Sequence, residues 1–377
     1  MSKSDIPQKT RYLLWAKTAG RCELTGCNEP LWKDNLSQIE MNFAQVAHII
    51  GDSPFGPRGH PKLSQEYCDD IENLMLLCPR HHHMVDENPD IYPDDVLREM
   101  KQIHEIRIEQ STGIIPDKSS TLIFFIAKIG AFQPNINLHD ALQAMFPDWL
   151  PASQLPINLS LSNLELDDSS EDYWKIESQN LEQRFKHLVE PILSNPLGRN
   201  HFSIFAFAPQ PLLIKLGTLI PDIYPGEVYQ LHREPSNWKW QDGPKGFNYK
   251  ISEPRTNFSN VVLNLSLSAT IKSNRIEKCI GNSDYSEWQM TISSPNNDFL
   301  KSKEQLKLFR QKLRELFNQI KAKHGNDVVI HLFPAVPISI AVEIGRVWQP
   351  KSDLPMIIYD QNAKKEGFIK TITIGEK

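Results

Sequence analysis

Apolar and polar residues alternate along this chain in two rhythms, and the rhythms change near residue 110. In the front part, PQKTRYLLWAKTAG (7–20) has helical spacing and stops at a glycine. RCELTGC then makes a tight loop between two cysteines. FAQVAHII (43–50) reads as a strand, and GDSPFGPRGHP after it as a Gly/Pro-rich loop. IENLMLLC (71–78) is a short apolar stretch. HHHMVD opens a helix, and PDDVLREMKQIHEIRIEQ resumes helical period at Pro93.

The stretch STGIIPDKSS (111–120) is small and polar, and the expected domain boundary falls there. Beyond it, strands and helices alternate. TLIFFIAKIG, HFSIFAFA, EVYQLHR, VVLNLSLSA, DVVIHLF, MIIYDQN and FIKTITI read as strands. The segments 171–193 and 301–325 read as long helices. The order contains a repeat: FAFAPQPLLIKLGTLI (205–220) resembles LFPAVPISIAVEIGRVW (332–348), with Gly217 opposite Gly345. Each copy follows a strand, opens a helix with prolines and is preceded by a long helix. This predicts two α/β half-domains from one duplicated unit, about 120–235 and 258–377, with largely parallel sheets. In such sheets ligands sit beyond the carboxyl ends of the strands, near helix N-termini.

A length of 377 residues fits two domains. The contents of 40% hydrophobic and 23% charged residues are those of an ordinary soluble protein. No apolar run approaches the ~20 residues that cross a bilayer. The N-terminus lacks a signal-peptide pattern, so the expectation is a cytoplasmic protein without a membrane partner. Four of the five cysteines, Cys22, Cys27, Cys68 and Cys78, precede residue 79; the fifth is Cys279. That clustering points to metal rather than disulfides.

Cys22 and Cys27 form one short pair, and Cys78-Pro79-Arg80-His81 holds a second. Thiolate and imidazole at two such knuckles suit four-coordinate structural zinc. The plainer reading is ordinary buried thiols. Cys68 is an alternative ligand, though its QEYCDD surroundings offer no partner.

Between the pairs stand His48, in AHII, and Asn73, in NLMLLC; His82 follows the second pair. With the cysteine pairs, the GPRG loop and HHHMVD, this order resembles the HNH (ββα-metal) nuclease family over about residues 20–90. The resemblance implies a small zinc-containing domain, residues 1–112, that hydrolyses phosphodiesters. It implies His48 as the general base, Asn73 as the residue orienting its ring, and His82 as a ligand of a catalytic divalent cation, Mg²⁺ or another. Many family members carry Asp before the base histidine, where this chain has Ala47. Asp86, one helical turn after His82, is the substitute ligand or else orients a histidine. Arg58 is a candidate phosphate clamp or a solvated loop residue. His60 and His83 read as local or surface residues, and His104 as solvated.

FAFAPQPLLIKLG and HLFPAVPISIAVEIGR resemble a SAVED domain, itself similar to fused CARF-type Rossmann-like units, over about 120–377. Joined to an HNH nuclease, this resembles effectors of bacterial anti-phage (CBASS) signalling. The resemblance implies a cyclic di- or trinucleotide activator, homo-oligomerisation on activation and degradation of double-stranded DNA. The helix N-termini at Gln210 and Pro337 are candidates to face phosphates. Arg233, Trp238, Lys239 and Trp240 form a basic-aromatic cluster suited to a base and its phosphate, and Tyr359 is a further candidate. The tryptophans are equally read as packing, and for Tyr359 a buried place on its strand is the commoner case.

The charge balance complicates the DNA reading. Up to residue 110 there are 12 Lys+Arg against 18 Asp+Glu, and beyond it 29 against 28. An acidic module holds DNA weakly as a single copy, and assembly would supply avidity. One alternative is a restriction-type HNH enzyme whose C-terminal domain reads DNA sequence or modification. Another is a zinc-knuckle interaction module, which would need none of His48, Asn73 and His82.

Overall fold

A computed structural model describes residues 6–112, 118–161, 166–194, 201–281 and 284–375. The first residues of the chain, and 113–117 within the expected boundary stretch, lie outside the described residues. The chain divides into two compact units, Met1–Ile115 and Pro116–Lys377. Among the described residues, no helix is long and apolar enough to cross a membrane.

The first unit runs α1 (Gln8–Thr18), β1 (Gln45–His48), α2 (Leu63–Glu66), β2 (Leu74–Leu77), α3 (Pro79–Glu87) and α4 (Asp94–Thr112). Strands β1 and β2 pair antiparallel, with His48 opposite Leu74 and Gln45 opposite Leu77. All four residues of β2 are buried, which is why LMLL shows no alternation. They pack with Leu14, Leu31, Ile49, Val85 and Leu97. Cys78 caps α3 and Pro79 takes its first position, where a missing N–H costs nothing. A helix therefore starts directly after β2, and its first turns stand near the end of β1.

Helix α4 corrects one expectation. His104 is buried, with Nε2 donating to the Thr18 carbonyl at 3.1 Å. It shares a helical face with the buried residues Leu97, Lys101 and Ile108. The charged neighbours that made it look solvated lie on other faces or pair inward, as Lys101 does with Glu105.

The first half of the second unit runs β3 (Ser119–Ile126), α5 (Leu138–Met145), β4 (Leu150–Pro151), β5 (Ile157–Asn158), α6 (Glu171–Leu188), α7 (Glu190–Leu193), β6 (Phe202–Phe207), α8 (Gln210–Leu219) and β7 (Gly226–Val228). The rest is β8 (Lys250–Ser252), β9 (Val261–Ser266), α9 (Ser273–Ile280), β10 (Ser286–Thr291), α10 (Lys303–His324), β11 (Ile330–Ala335), α11 (Ile338–Val347), β12 (Met356–Asn362) and β13 (Gly367–Ile374). One sheet has the order β4-β3-β6-β7, with β5 also beside β3. The other has the order β13-β12-β11-β9-β10-β8. The first is parallel, and the second is parallel apart from its edge strands β8 and β13.

These orders make the duplication fuller than the repeat string alone. β3-α5-β4-α6-β6-α8-β7 corresponds to β9-α9-β10-α10-β11-α11-β12, each with the spatial order 2-1-3-4. The repeated helices α8 and α11 pack directly on each other. A Cβ on Gly217 would lie 2.0 Å from the Val342 carbonyl, and one on Gly345 would lie 1.9 Å from that of Ile214. Only glycine allows backbones this close. At the other end of the contact, Gln210 Oε1 accepts from the Val336 N–H at 3.2 Å, so the two helices start side by side.

Candidate functional site

The cysteine cluster is assembled by two turns. Helix α1 ends in left-handed Ala19, and the chain then folds the Cys22–Cys27 loop, where the Cys27 N–H donates to the Leu24 carbonyl at 3.0 Å. The Cys78–His81 turn brings His81 Nδ1 to 3.2 Å from Cys78 Sγ and 3.5 Å from Cys22 Sγ. The ligand atoms of Cys22, Cys27, Cys78 and His81 all lie within 4.8 Å of one another. Tetrahedral zinc with ordinary bond lengths holds its ligands roughly 3.5–3.8 Å apart, so this donor set fits the ion. Burial pushes the Cys22 and Cys78 thiols up and the His81 imidazole down. A cation at the centre reverses that cost for the thiolates. Cys68 is not in the cluster.

A second site opens on another side of α3. A cavity of about 350 Å³ is lined by His48, His82, Arg58, Asp86, Arg11 and Asp52, among others. Ala47 is buried in the core, so of these two β1 residues His48 is the one that lines the cavity. His48 Nε2 lies 2.8 Å from the Cys68 carbonyl oxygen. A carbonyl can only accept, so Nε2 carries the proton and Nδ1 is the basic nitrogen. The element that holds this ring is thus the backbone of Cys68, which side-chain identity could not announce.

Asn73 departs from its expected role. Its side chain is buried and bonded to backbone. It accepts from the Ile50 N–H at 2.8 Å and donates to the carbonyls of Ile50 (3.0 Å) and Tyr67 (3.1 Å). These bonds fix the chain just after β1 and just before Cys68. Asn73 therefore anchors the backbone next to Cys68, whose carbonyl meets the His48 ring.

Arg58 is not the solvated loop residue of its alternative reading. Its side chain is 6% exposed, and it lines the cavity beside His48 and His82. The guanidinium donates to the carbonyls of Ile49 (3.0 Å), Val85 (2.5 Å) and His48 (3.4 Å), and to Asp86 Oδ1 at 2.7 Å. It ties the end of β1 to the end of α3. The other Asp86 oxygen lies 3.5 Å from His82 Nδ1. Asp86 thus bridges Arg58 and His82 at the cavity wall. Asp52, missed by the sequence reading, lines the same cavity. His60 receives the N–H groups of Lys62 and Leu63 at the start of α2, and His83 is exposed.

In the second unit the expected ligand residues do not form one pocket. Gln210 and Pro337 stand together at the starts of α8 and α11, beyond the carboxyl ends of β6 and β11. Trp238 is buried, edge-on to Phe205 at 5.3 Å, so it packs rather than stacks on a ligand. The chain doubles back there, with the His232 N–H donating to the Asn237 carbonyl, and this carries Trp238 under the sheet. Tyr359 is likewise core: its ring lies 4.4 Å from Phe333 at 7°, and its hydroxyl is 2.9 Å from His331 Nδ1. Arg233 and Lys239 are exposed. Trp240, half-buried, lines a cavity of about 500 Å³ with Trp149, His201, Lys303, Arg310 and Glu343. His201 stacks on Trp149 at 3.4 Å, and burial, then Arg346 and Lys303, push it down to about 4. Lys303 bridges Asp148 and Glu227. The signal for this cavity was present: Lys303, Lys307 and Arg310 share one helical face, and Glu343 interrupts an apolar helix.

No curated protein matches the chain. The family model described as HNH endonuclease matches residues 22–88. Among solved structures, the SAVED/CARF-domain containing receptor Cap4 of Acinetobacter baumannii, with the cyclic trinucleotide 2'3'3'-cAAA, is 13% identical, with a TM-score of 0.44. That match covers 83% of this chain and 65% of the receptor, so the chain spans about two thirds of the receptor's length. The Moraxella osloensis Cap4 receptor is 10% identical over 78% of this chain and 60% of that one, with a TM-score of 0.39. The model described as SMODS-associated and fused to various effectors sensor domain (SAVED) matches residues 185–374, half of the chain. The chain therefore belongs to the SAVED sensor-domain family and carries an HNH endonuclease domain ahead of that sensor.

Proposed function

We propose that the chain is a metal-dependent DNA endonuclease, activated when its SAVED region binds a cyclic oligonucleotide in anti-phage defence. Residues 1–112 are the nuclease and 120–377 the sensor. The observation that carries the nuclease half is the shared cavity of His48 and His82, with His48 Nε2 held by the Cys68 carbonyl. That bond fixes Nδ1 as the nitrogen that removes a proton from the attacking water. His82, oriented by Asp86, is the ligand of a divalent cation in the same cavity, with Asp52 as the nearby carboxylate. When bound, that cation neutralises charge building on the scissile phosphate. Cys22, Cys27, Cys78 and His81 hold structural zinc. Arg58 keeps base and ligand at a fixed separation.

For the sensor half, the spatial order 2-1-3-4 puts a switch point between β3 and β6 and between β9 and β11. Ligands of open α/β sheets favour such crevices, beyond the carboxyl ends of the strands. Helices α8 and α11 start beside each other at those strand ends, where the Gln210 side chain accepts from the Val336 N–H, and helix N-termini favour anions. A cyclic di- or trinucleotide supplies phosphates for both. The acidic nuclease region meets double-stranded DNA weakly until copies assemble.

The test is plasmid degradation in Mg²⁺ with a panel of cyclic di- and trinucleotides, beside His48→Ala. Cutting that needs one nucleotide and His48 supports both halves. Cutting that needs His48 but no nucleotide leaves a nuclease without this sensor, as a restriction-type enzyme would behave. Cutting by His48→Ala at the wild-type rate overturns the nuclease assignment.

A further inference from the structure

The loop between β1 and α2 is built more rigidly than a solvent connection requires. The Gly56 N–H donates to the Ser53 carbonyl at 3.0 Å, and the Gly59 N–H to the Gly56 carbonyl at 3.0 Å. These close two consecutive turns, with Pro54 and Pro57 each at the second position, where a fixed φ suits the turn. The Gly51 N–H donates to the Arg58 carbonyl at 3.0 Å and shuts the base of the loop. A Cβ on Gly51 would lie 2.2 Å from the Pro57 carbonyl, and one on Gly59 would lie 2.3 Å from that of Ser53. Arg58 holds a left-handed φ of 55°, and its buried guanidinium secures the loop to β1 and α3.

At the tip of this braced loop, in the third position of the first turn, stands Phe55. It is 95% exposed. Its near neighbours Ser53 and Gly56 line the cavity that holds His48 and His82. A large ring is thus held out into solvent, at the rim of the site, on backbone that cannot fold it back. Resting on the nuclease reading, we infer that Phe55 is a substrate-positioning finger: its ring packs against a base of the nucleic acid whose phosphodiester enters the cavity. Every base offers a flat face, so the contact is tolerant of sequence, and aromatic wedges of this kind open or grip base steps in other proteins. It also gives an acidic module a foothold on DNA that needs no basic side chain.

The experiment separates base contact from chemistry. In a full-length His48→Ala background without divalent cation, so that the duplex stays intact during the measurement, affinity for a short labelled duplex is measured by anisotropy at low salt. Phe55→Ala and Phe55→Trp are compared in that background. In the His48 protein, the same Phe55 variants are assayed on bis(p-nitrophenyl) phosphate, a diester without bases. Phe55→Ala should raise the duplex Kd about ten-fold, the scale of one lost base–aromatic stack. Phe55→Trp should restore it, and hydrolysis of the small diester should not change. An unchanged duplex Kd in Phe55→Ala overturns the inference. So does a parallel loss on the small diester, or a change of oligomeric state without a change of duplex affinity. All of these assays are run with the same panel of cyclic nucleotides, and a chain with wild-type Phe55 that neither binds the duplex nor hydrolyses the diester with any of them fails the nuclease reading itself, a distinct result.

Discussion

Helix α3 carries two adjacent histidines into two regions of opposite construction. His81 closes a group with Cys22, Cys27 and Cys78, two of them buried, in which four donors surround one point. His82 faces a cavity of about 350 Å³ with polar walls and room for substrate. A closed donor set can only hold an ion, while an open one can share it with a reactant. On the proposed function, one residue of rotation along the helix separates what keeps the unit folded from what does its chemistry. The hydrophobic core between β2, α1 and α3 keeps the two regions in register.

This contrast can be broken or sharpened by substitution. The largest effect belongs to the closed region. Cys78→Ala should abolish zinc retention and unfold the first unit, since apparent zinc affinities of such sites are on the order of 10–16 kcal/mol. Metal analysis and circular dichroism check this. Retained zinc with normal melting would erase the contrast. Next, His48→Ala should slow cleavage by roughly 10²–10⁴-fold, the usual worth of a general base, with melting unchanged.

Arg58→Lys sits between the regions. Lysine keeps the charge but loses the fork that serves three carbonyls and Asp86 at once. Stability of the first unit should drop by about 1–3 kcal/mol, and cleavage should fall more than melting explains, because His48 and His82 lose their fixed spacing. Denaturant melts beside single-turnover rates separate the two. The smallest effect is expected at Cys68. Its carbonyl holds His48 but its thiol is outside the cluster, so Cys68→Ala should alter stability by less than about 0.5 kcal/mol. Zinc content and cleavage should match wild type.

What could be read from the sequence follows from where the information sits. The metal group is legible because its ligands are side chains at short, fixed spacings. The roles of Asn73 and Arg58 are not, because their partners are backbone carbonyls contributed by Tyr67, Ile50, Ile49, Val85 and His48. Backbone partners leave no residue-type signature. The second unit shows the same limit. The apolar strands β3, β6, β9 and β11 and the long helices α6 and α10 are plain in the pattern, since burial on both faces makes continuous apolar runs. The elements α5, β4, α9 and β10 went unseen: the helices are eight residues each and β4 is two, too short to establish a period. Trp238 and Tyr359 suggested ligand stacking, yet an aromatic ring near a strand end serves a core equally well. Only the fold decides, and it buries both.

The measurement that tests the account most directly uses the two adjacent histidines. His81→Ala and His82→Ala are purified as full chains and analysed together for bound zinc, melting, and divalent-cation-dependent hydrolysis of bis(p-nitrophenyl) phosphate in the presence of the cyclic nucleotide that activates the wild-type chain. His81→Ala should lose zinc and melt early, and His82→Ala should keep both zinc and fold while losing hydrolysis. If His82→Ala hydrolyses the diester at the wild-type rate, or if it is the variant that loses zinc, the division of labour along α3 is wrong.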